Sequence, residues 1–296
     1  MVKRYGELYL DARRALIPSE GEQAGSIARE LLCKFSGKTS AEFLSAKELY
    51  ASEEIGQKME DAVRRILMGE PLPYVLEEWD FCGMTLRVTR DTLIPRDDTM
   101  AVTELALHCA SMLPANPRIL DLCTGSGCIG LAIANQFPDA RVTLADISAE
   151  TLRVAKQNAA SFAPRVNCVL ADALQNPPAY IKNYDVIVSN PPYITAKEML
   201  ELPYSVRRFE PELALFGGDD GLRFYRTIVN NYTSVLKPGG YLCFEFGMGQ
   251  EQAVCSILEE GGYTVLQLKK DTRGIIRAVM AQKKGEEHDG NKETCL

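Results

Sequence analysis

Five consecutive residues, Ser189-Asn190-Pro191-Pro192-Tyr193, form the most specific chemical pattern in the chain. Pro191 and Pro192 fix two backbone φ angles and supply no N–H donors, so carbonyl oxygens there stay available as acceptors. Asn190 adds a side-chain carbonyl, and Tyr193 a flat aromatic face. That set suits a planar NH2 group: two acceptors take its two hydrogens while the ring packs on its plane. Presenting such a nitrogen to an electrophile is proximity chemistry and needs neither a metal nor a nucleophilic side chain. Asn-Pro alone is common in turns; the full run at the end of a strand is not.

A second pattern is a loop. Asp121 ends an apolar run and is followed by Leu122, Cys123, Thr124, Gly125, Ser126, Gly127, Cys128, Ile129 and Gly130. Glycines at 125 and 127 allow a tight turn and let a ligand lie against the backbone. A further apolar run ends in Asp146, 19 residues past Gly127, where a carboxylate can accept hydrogen bonds from ribose hydroxyls. A nucleoside-bearing ligand is therefore expected over the loop. Residues 125–130 also fit GxGxxG, which leaves a nicotinamide dinucleotide open. Asp121 suits a cationic ammonium better than a pyrophosphate, which it would repel, and so favours S-adenosylmethionine. Asp172, after VNCVLA, is a weaker candidate for contact with an adenine amino group.

These residues need elements to hold them. Residues 1–72 read as helical throughout: Ser19 with Glu22 predicts a capping box, Ser52 precedes the acids Glu53 and Glu54, and Gly69 with Pro71 predicts a stop. Residues 73–100 change period; Met84, Leu86 and Val88 alternate with polar residues, as in a strand, and Ile94-Pro95 is extended, so a hairpin-bearing linker is expected. From there to residue 282 strand patterns (118–122, 141–146, 166–170, 184–189, 240–246) alternate with helical ones (128–136, 149–161, 220–236), which predicts an α/β, doubly wound parallel sheet. Two last strands, 263–269 and 274–282, are separated by so short a turn that they must pair antiparallel. The polar tail 283–296 is expected to be disordered.

Composition narrows the function. The chain has 296 residues, is 46% hydrophobic, and carries 33 Lys and Arg against 40 Asp and Glu, a net charge of −7. An acidic chain is poorly suited to gripping a nucleic-acid backbone, which needs clustered cations. The first 75 residues are balanced, with 11 basic and 12 acidic side chains. No apolar run is long enough to span a bilayer, and the start MVKRYGELYL is too polar for a signal peptide. Nine cysteines without CxxC spacing suggest neither a disulfide framework nor a zinc site, and a reducing cytoplasm is the expected compartment. With His108 and His288 the only histidines, and His108 expected to be packed in a helix, no metal site is expected.

The run NPPY after the fourth strand resembles the amino-group methyltransferases, which modify adenine or cytosine amines or the glutamine side-chain amide. LIPRDDT (93–99), NPPYI, FEPELALFGGDDGLRFYRTI (209–228), EFGMGQ (245–250) and KKDTRGIIRAVMA (269–281) are similar to one branch, the bacterial N5-glutamine methyltransferases of peptide chain release factors. The resemblance covers about residues 70–282 and implies a class I, Rossmann-like S-adenosylmethionine-dependent methyltransferase. Its sheet would have seven strands with an antiparallel one at its end, and a small helical domain at 1–72 would precede the catalytic domain at 101–282. It implies a substrate, the glutamine of the Gly-Gly-Gln loop of release factors, and so a place in translation termination. It assigns the cofactor to Cys123 through Gly127, to Asp146, to the turn of Asp172 and Ala173, and to Asn190, in addition to Asp121, which is read from its charge alone. The glutamine amide falls to Asn190, Pro191, Pro192 and Tyr193, and the body of the release factor partly to the helical domain.

The chain departs from that pattern in four places: Cys123 stands for a glycine, Asp97 for a proline, Met100 for a glutamate, and Ala173 where a relative has a large aromatic. Phe81, in the linker, is expected in the core. A monomer that touches neither nucleic acid nor membrane is the expectation. The rival readings are a glutamine methyltransferase of a ribosomal protein and a DNA or RNA amino-methyltransferase. The latter would need a basic patch and the cost of flipping a base.

Overall fold

Helix signals and strand signals separate along the chain into two units, and the computed structural model describes residues 2–285. The first unit comprises residues 1–79 with Val88–Arg90 and Pro203–Glu210. It holds α1 (Tyr5–Glu20), α2 (Ala24–Ser36), α3 (Ser40–Ala46), α4 (Glu53–Leu67) and α5 (Leu72–Leu76). Leu8, Ala12 and Leu16 of α1 recur at helical spacing and pack with Ile27, Leu31 and Leu32 of α2 and Met59, Ala62 and Ile66 of α4. Ser52 caps α4, accepting from the Ile55 N–H at 3.3 Å.

The capping box predicted at Ser19 does not form. The apolar stripe carries α1 past Ser19, whose hydroxyl donates back to the Leu16 carbonyl at 3.2 Å, and the break comes at Gly21 with φ +54. Nor does the unit end at residue 72. Glu70, only 4% exposed, accepts from Arg65 at 2.8 and 3.0 Å and from Arg90 at 3.1 Å, and the Arg90 guanidinium lies 4.9 Å over the Phe209 ring. A buried carboxylate needs such partners, and they tie the short segments 88–90 and 203–210 into the helical unit.

The chain then forms a hairpin from β1 (Glu78–Phe81) and β2 (Met84–Arg87), with Met84 and Leu86 buried and Thr85 and Arg87 exposed. Phe81 is 5% exposed and part of the core. Next come α6 (Met100–Met112), β3 (Arg118–Leu122), α7 (Cys128–Gln136), β4 (Arg141–Asp146), α8 (Ala149–Phe162), β5 (Asn167–Leu170) and β6 (Tyr184–Ser189). They are followed by α9 (Ala196–Glu201), α10 (Tyr204–Phe209), α11 (Arg223–Tyr232), β7 (Leu236–Glu245), α12 (Glu251–Glu260), β8 (Tyr263–Lys270) and β9 (Ile276–Lys283).

Among the described residues the larger sheet has seven strands in the order β5-β4-β3-β6-β7-β9-β8. Pairing is parallel from β5 to β7, while β9 runs antiparallel to both β7 and β8, between which it inserts. Apolar side chains of α6, α7 and α8 cover one face, and those of α11 and α12 the other. Both faces being buried explains why the strands read as continuous apolar runs rather than alternating ones. β7 starts four residues before the predicted 240, its pairing with β6 shifting register around Lys237–Gly240, and α11 is shorter than the predicted 220–236.

β9 continues through Lys283, whose ammonium donates to the carbonyls of Thr233 and Leu236, so the predicted tail starts later than 283; residues 286–296 lie outside the described residues. His108 sits on α6 as predicted, but on its exposed side rather than packed.

Candidate active site

The chain order β3, β4, β5 runs outward in one direction from β3, and β6 then returns to its other side. This reversal is the point at which open α/β sheets bind ligands, outside the carboxyl ends of the strands. The residues singled out in the sequence end those four adjacent strands. Cys123–Gly127 follows β3, Asp146 ends β4, Asp172 and Ala173 follow β5, and Asn190–Tyr193 follows β6.

The loop after β3 is held from several sides. The Thr124 N–H donates to the Ala145 carbonyl at 3.0 Å, and the Gly125 N–H to Asp146 Oδ2 at 3.0 Å. Asn158 of α8 donates to the Ser126 carbonyl at 2.9 Å while exchanging hydrogen bonds with the backbone of Arg87 at 2.7 and 3.0 Å. Gly125 and Gly127 have φ of +57 and +87, and Gly127 caps α7 in that conformation. A Cβ on Gly125 would meet nothing within 4 Å, so there is open space over the loop.

Cys123 also has a positive φ, +60. A side chain in the left-handed region costs about 1–2 kcal/mol, which is the physical reason a glycine is the easier choice at this position. Burial pushes the Cys123 thiol well above its usual range, which disfavours the thiolate.

Asp121 is fully buried. Its Oδ2 accepts from the Thr124 hydroxyl at 2.6 Å and the Gly130 N–H at 2.9 Å, while Oδ1 has no hydrogen-bond partner. Burial raises its pKa to about 7, opposed by those two hydrogen bonds. An unpaired carboxyl oxygen beside an open glycine turn fits a ligand carrying an ammonium group. The Asp146 pKa is also raised by burial, against hydrogen bonds from the Ser148 and Gly125 N–H groups. Each of its oxygens takes one of these, at 3.1 and 3.0 Å, and keeps a second lone pair for a hydroxyl donor.

Three of the other predicted contacts have buried side chains. Thr124 and Ser126 are 4% and 2% exposed, and Ala173, at 4%, belongs to the core cluster that includes Ile181, Tyr184 and Tyr232. Asp172 is half-buried, with Oδ1 closing a turn onto the Leu174 N–H at 2.8 Å.

The acceptor run is clamped as well. Pro191 and Pro192 are buried, and the Tyr193 carbonyl accepts from Gln250 at 3.1 Å. A Cβ on Gly217 would lie 2.6 Å from the Tyr193 Cα and 2.7 Å from the Pro192 carbonyl oxygen, so only glycine admits this approach. Asn190 donates through Nδ2 to the Thr99 hydroxyl at 3.2 Å, which turns its Oδ1 the other way.

Two residues the sequence did not assign appear here, Thr99 and Glu245. Glu245 ends β7 and is 1% exposed. Tyr193 donates its hydroxyl to Oε1 at 3.4 Å, and Oε2 has no partner of good geometry. Burial raises the Glu245 pKa to about 7, with Asp98 adding to the rise and the nearby Thr99 side chain and the charge of Arg277 opposing it. Burial and the nearby Glu245 charge push the Tyr193 phenol upward in turn. The only signal in the sequence is an acid closing the otherwise apolar strand GYLCFEF.

Among the described residues no cluster of His, Cys, Asp and Glu could hold a metal ion, and no helix is long and apolar enough to cross a membrane.

Helices on both faces of a sheet ending in a reversed strand, with a glycine loop and two acids at its switch point, define a methyltransferase catalytic domain. Residues 101–203 match the family described as "Methyltransferase small domain". A methyltransferase from Pyrococcus furiosus has the same fold, with a TM-score of 0.50 and 19% identity over 76% of this chain and 99% of that one. Residues 7–76 match the "PrmC N-terminal domain". The release factor glutamine methyltransferase of Clostridium acetobutylicum is 36% identical over 259 residues, 86% of this chain and 90% of that protein. The Bordetella pertussis protein of the same name is 42% identical over 216 residues, 73% and 78% of the two chains. The chain belongs to the release factor glutamine methyltransferase family.

Proposed function

We propose that this protein transfers a methyl group from S-adenosylmethionine to the side-chain amide nitrogen of the glutamine in the Gly-Gly-Gln loop of peptide chain release factors, in the cytoplasm. The observation that carries this reading is the orientation of Asn190. With Nδ2 committed to Thr99, its Oδ1 is presented as an acceptor at the end of β6, beside the loop that follows β3.

The cofactor, when bound, supplies an electrophilic methyl group on a sulfonium centre. Asp121 Oδ1 would receive its ammonium, Asp146 its ribose hydroxyls, and the backbone of Cys123–Gly127 and the Asp172–Ala173 turn its remaining polar edges. Asn190 Oδ1 and the Pro191 carbonyl accept the two hydrogens of the substrate NH2, and Tyr193 packs on the amide plane. An amide nitrogen is a weak nucleophile because its lone pair is delocalised. Two fixed acceptors would raise its electron density most as the new C–N bond forms and the sulfonium C–S bond breaks, with S-adenosylhomocysteine leaving and the surplus N–H proton passing to solvent. The helical N-terminal unit offers a surface to the body of the release factor.

The test is peptide mass spectrometry of a purified release factor incubated with the protein and S-adenosylmethionine. A single added methyl group on the Gly-Gly-Gln peptide is the expected result. An unmodified release factor, with the cofactor still bound, would overturn the substrate and move it to a ribosomal protein or a nucleobase amine.

A further inference from the structure

We propose that Asp98, Arg273 and Arg277 are positioning residues for the acceptor run. Their ion cluster fixes the turn that carries Thr99, whose hydroxyl holds Asn190, so the last hairpin of the sheet sets where a substrate NH2 is received. This rests on the acceptor role given to Asn190 above.

The sheet brings the parts together. Ser189 of β6 pairs with Phe244 of β7, and Glu245, the next residue of β7, pairs with Ala278 of β9. Arg277, one residue earlier, therefore starts β9 at the carboxyl ends of β6 and β7, the end from which Asn190 emerges. Its carbonyl accepts from the Phe246 N–H at 2.9 Å. Asp98 comes from far off in the chain, 175 residues before Arg273. Its two oxygens accept from the Arg273 guanidinium at 2.9 and 2.8 Å, and Arg277 reaches Oδ2 at 3.1 Å. Asp271, its side chain fully buried, aims the two arginines. Its Oδ1 accepts from the N–H groups of Arg273 and Ile275, each at 2.9 Å, and its Oδ2 lies 3.4 Å from Arg277 Nε.

Such a cluster is a poor source of stability. Taking Asp98 and Arg277 out of water, to side-chain exposures of 20% and 14%, offsets much of their attraction. Its geometric effect is more specific. A planar guanidinium fork fixes both oxygens of Asp98, which sits in the single turn Asp97–Thr99. Thr99 follows directly and is buried, its carbonyl accepting from the Thr103 hydroxyl at 2.8 Å. The turn is thus held at Asp98 and again at the Thr99 carbonyl. Between those two points the Thr99 hydroxyl takes the Asn190 Nδ2 hydrogen at 3.2 Å, which leaves the Asn190 carbonyl oxygen to the substrate. A turn free to drift by about 1 Å would lose that contact, and a misplacement of that size can cost about 100-fold in rate.

The experiment compares Asp98→Asn, Arg277→Met, Thr99→Val and the double variant Asp98→Asn with Thr99→Val against wild type, using the release factor and S-adenosylmethionine. Lys269→Met is the control: it removes a partly exposed ion pair, Lys269 with Glu104 at 2.5 Å, that also ties the last hairpin to α6. With cofactor affinity kept, kcat should fall on the order of 100-fold in Thr99→Val and 10-fold in Asp98→Asn and Arg277→Met. The double variant should lose little beyond Thr99→Val, because both changes act on the same contact. Lys269→Met should keep wild-type kcat. A cluster that only stabilises the fold would leave kcat unchanged in Asp98→Asn and Arg277→Met, and that result overturns the proposal. Losses that multiply in the double variant overturn it too, as does a loss in Lys269→Met equal to that in Arg277→Met.

A second readout needs no turnover: the NMR signal of the Asn190 side-chain NH2, assigned by its disappearance in Asn190→Asp. It should shift in Asp98→Asn and Arg277→Met and stay in place in Lys269→Met. An unmoved signal in the first two overturns the proposal. If wild type methylates no release factor, the substrate reading fails, and this signal alone decides on the cluster. Should Asp98→Asn not fold, Arg277→Met carries both measurements.

Discussion

The backbone N–H of Gly125 donates to Oδ2 of Asp146 over 3.0 Å and ties the loop after β3 to the end of β4. The acid shapes the loop, and under the proposed function its second lone pairs would also receive the ribose hydroxyls. Asp146→Ala should weaken S-adenosylmethionine binding by about 1.5–3 kcal/mol, the range for a hydrogen bond to a charged group. Calorimetric titration checks this, and unchanged affinity would place the ribose elsewhere.

Asn190 is held by Thr99 rather than by that loop. Asn190→Ala should lower kcat on the order of 100-fold, the scale for removing one preorganised polar contact to the reacting group. Cofactor affinity should stay close to wild type. A radiolabel-transfer assay beside the same titration separates the two, and wild-type turnover would remove Asn190 from the mechanism.

Asp121 and Glu245 make stability depend on pH. Both have pKa values raised to about 7 by burial, from ordinary values of 3.8 and 4.5. The folded protein therefore binds more protons than the unfolded chain between about pH 4 and pH 7. This contribution is fully present below the ordinary carboxylate range and is lost as pH rises through about 7. Melting temperature of the ligand-free protein should fall across that window, less steeply in Asp121→Asn. Parallel curves for the two proteins would show that Asp121 does not titrate there.

Gly217 bears on the acceptor run through space rather than charge. A methyl group there would sit 2.6 Å from the Tyr193 Cα, and backbone has to give way. Gly217→Ala should cost about 1–3 kcal/mol of stability, the usual penalty of overpacking, and reduce kcat more than cofactor affinity. Denaturant unfolding together with kinetics checks both. A variant of wild-type stability and turnover would mean that the chain relaxes around the added carbon.

Several parts of this molecule follow from short stretches of chain. The strands 118–122, 141–146 and 184–189 run over the predicted residues, because an apolar run between turn residues is a local signal. The Gly125 and Gly127 loop and the Asn190–Tyr193 run were legible for the same reason: conformational freedom and acceptor chemistry reside in neighbouring residues. Even the pairing of β8 with β9 needed only the length of the turn between them.

The rest depended on how strands and helices come together. Ser19 lost its predicted cap because packing of Leu16 carries α1 onward, and Pro203–Glu210 joined the helical unit through Phe209 and Arg90. Ala173, in a loop by sequence, turned its methyl into the core. Glu245 had no legible role, since Tyr193 reaches it only through the β6–β7 register. Sequence by itself determined which groups could do the chemistry, because their types and local turns are written in a few adjacent residues. Only the tertiary structure decided which carboxyl groups are buried beside them, because burial and strand register are properties of the whole sheet.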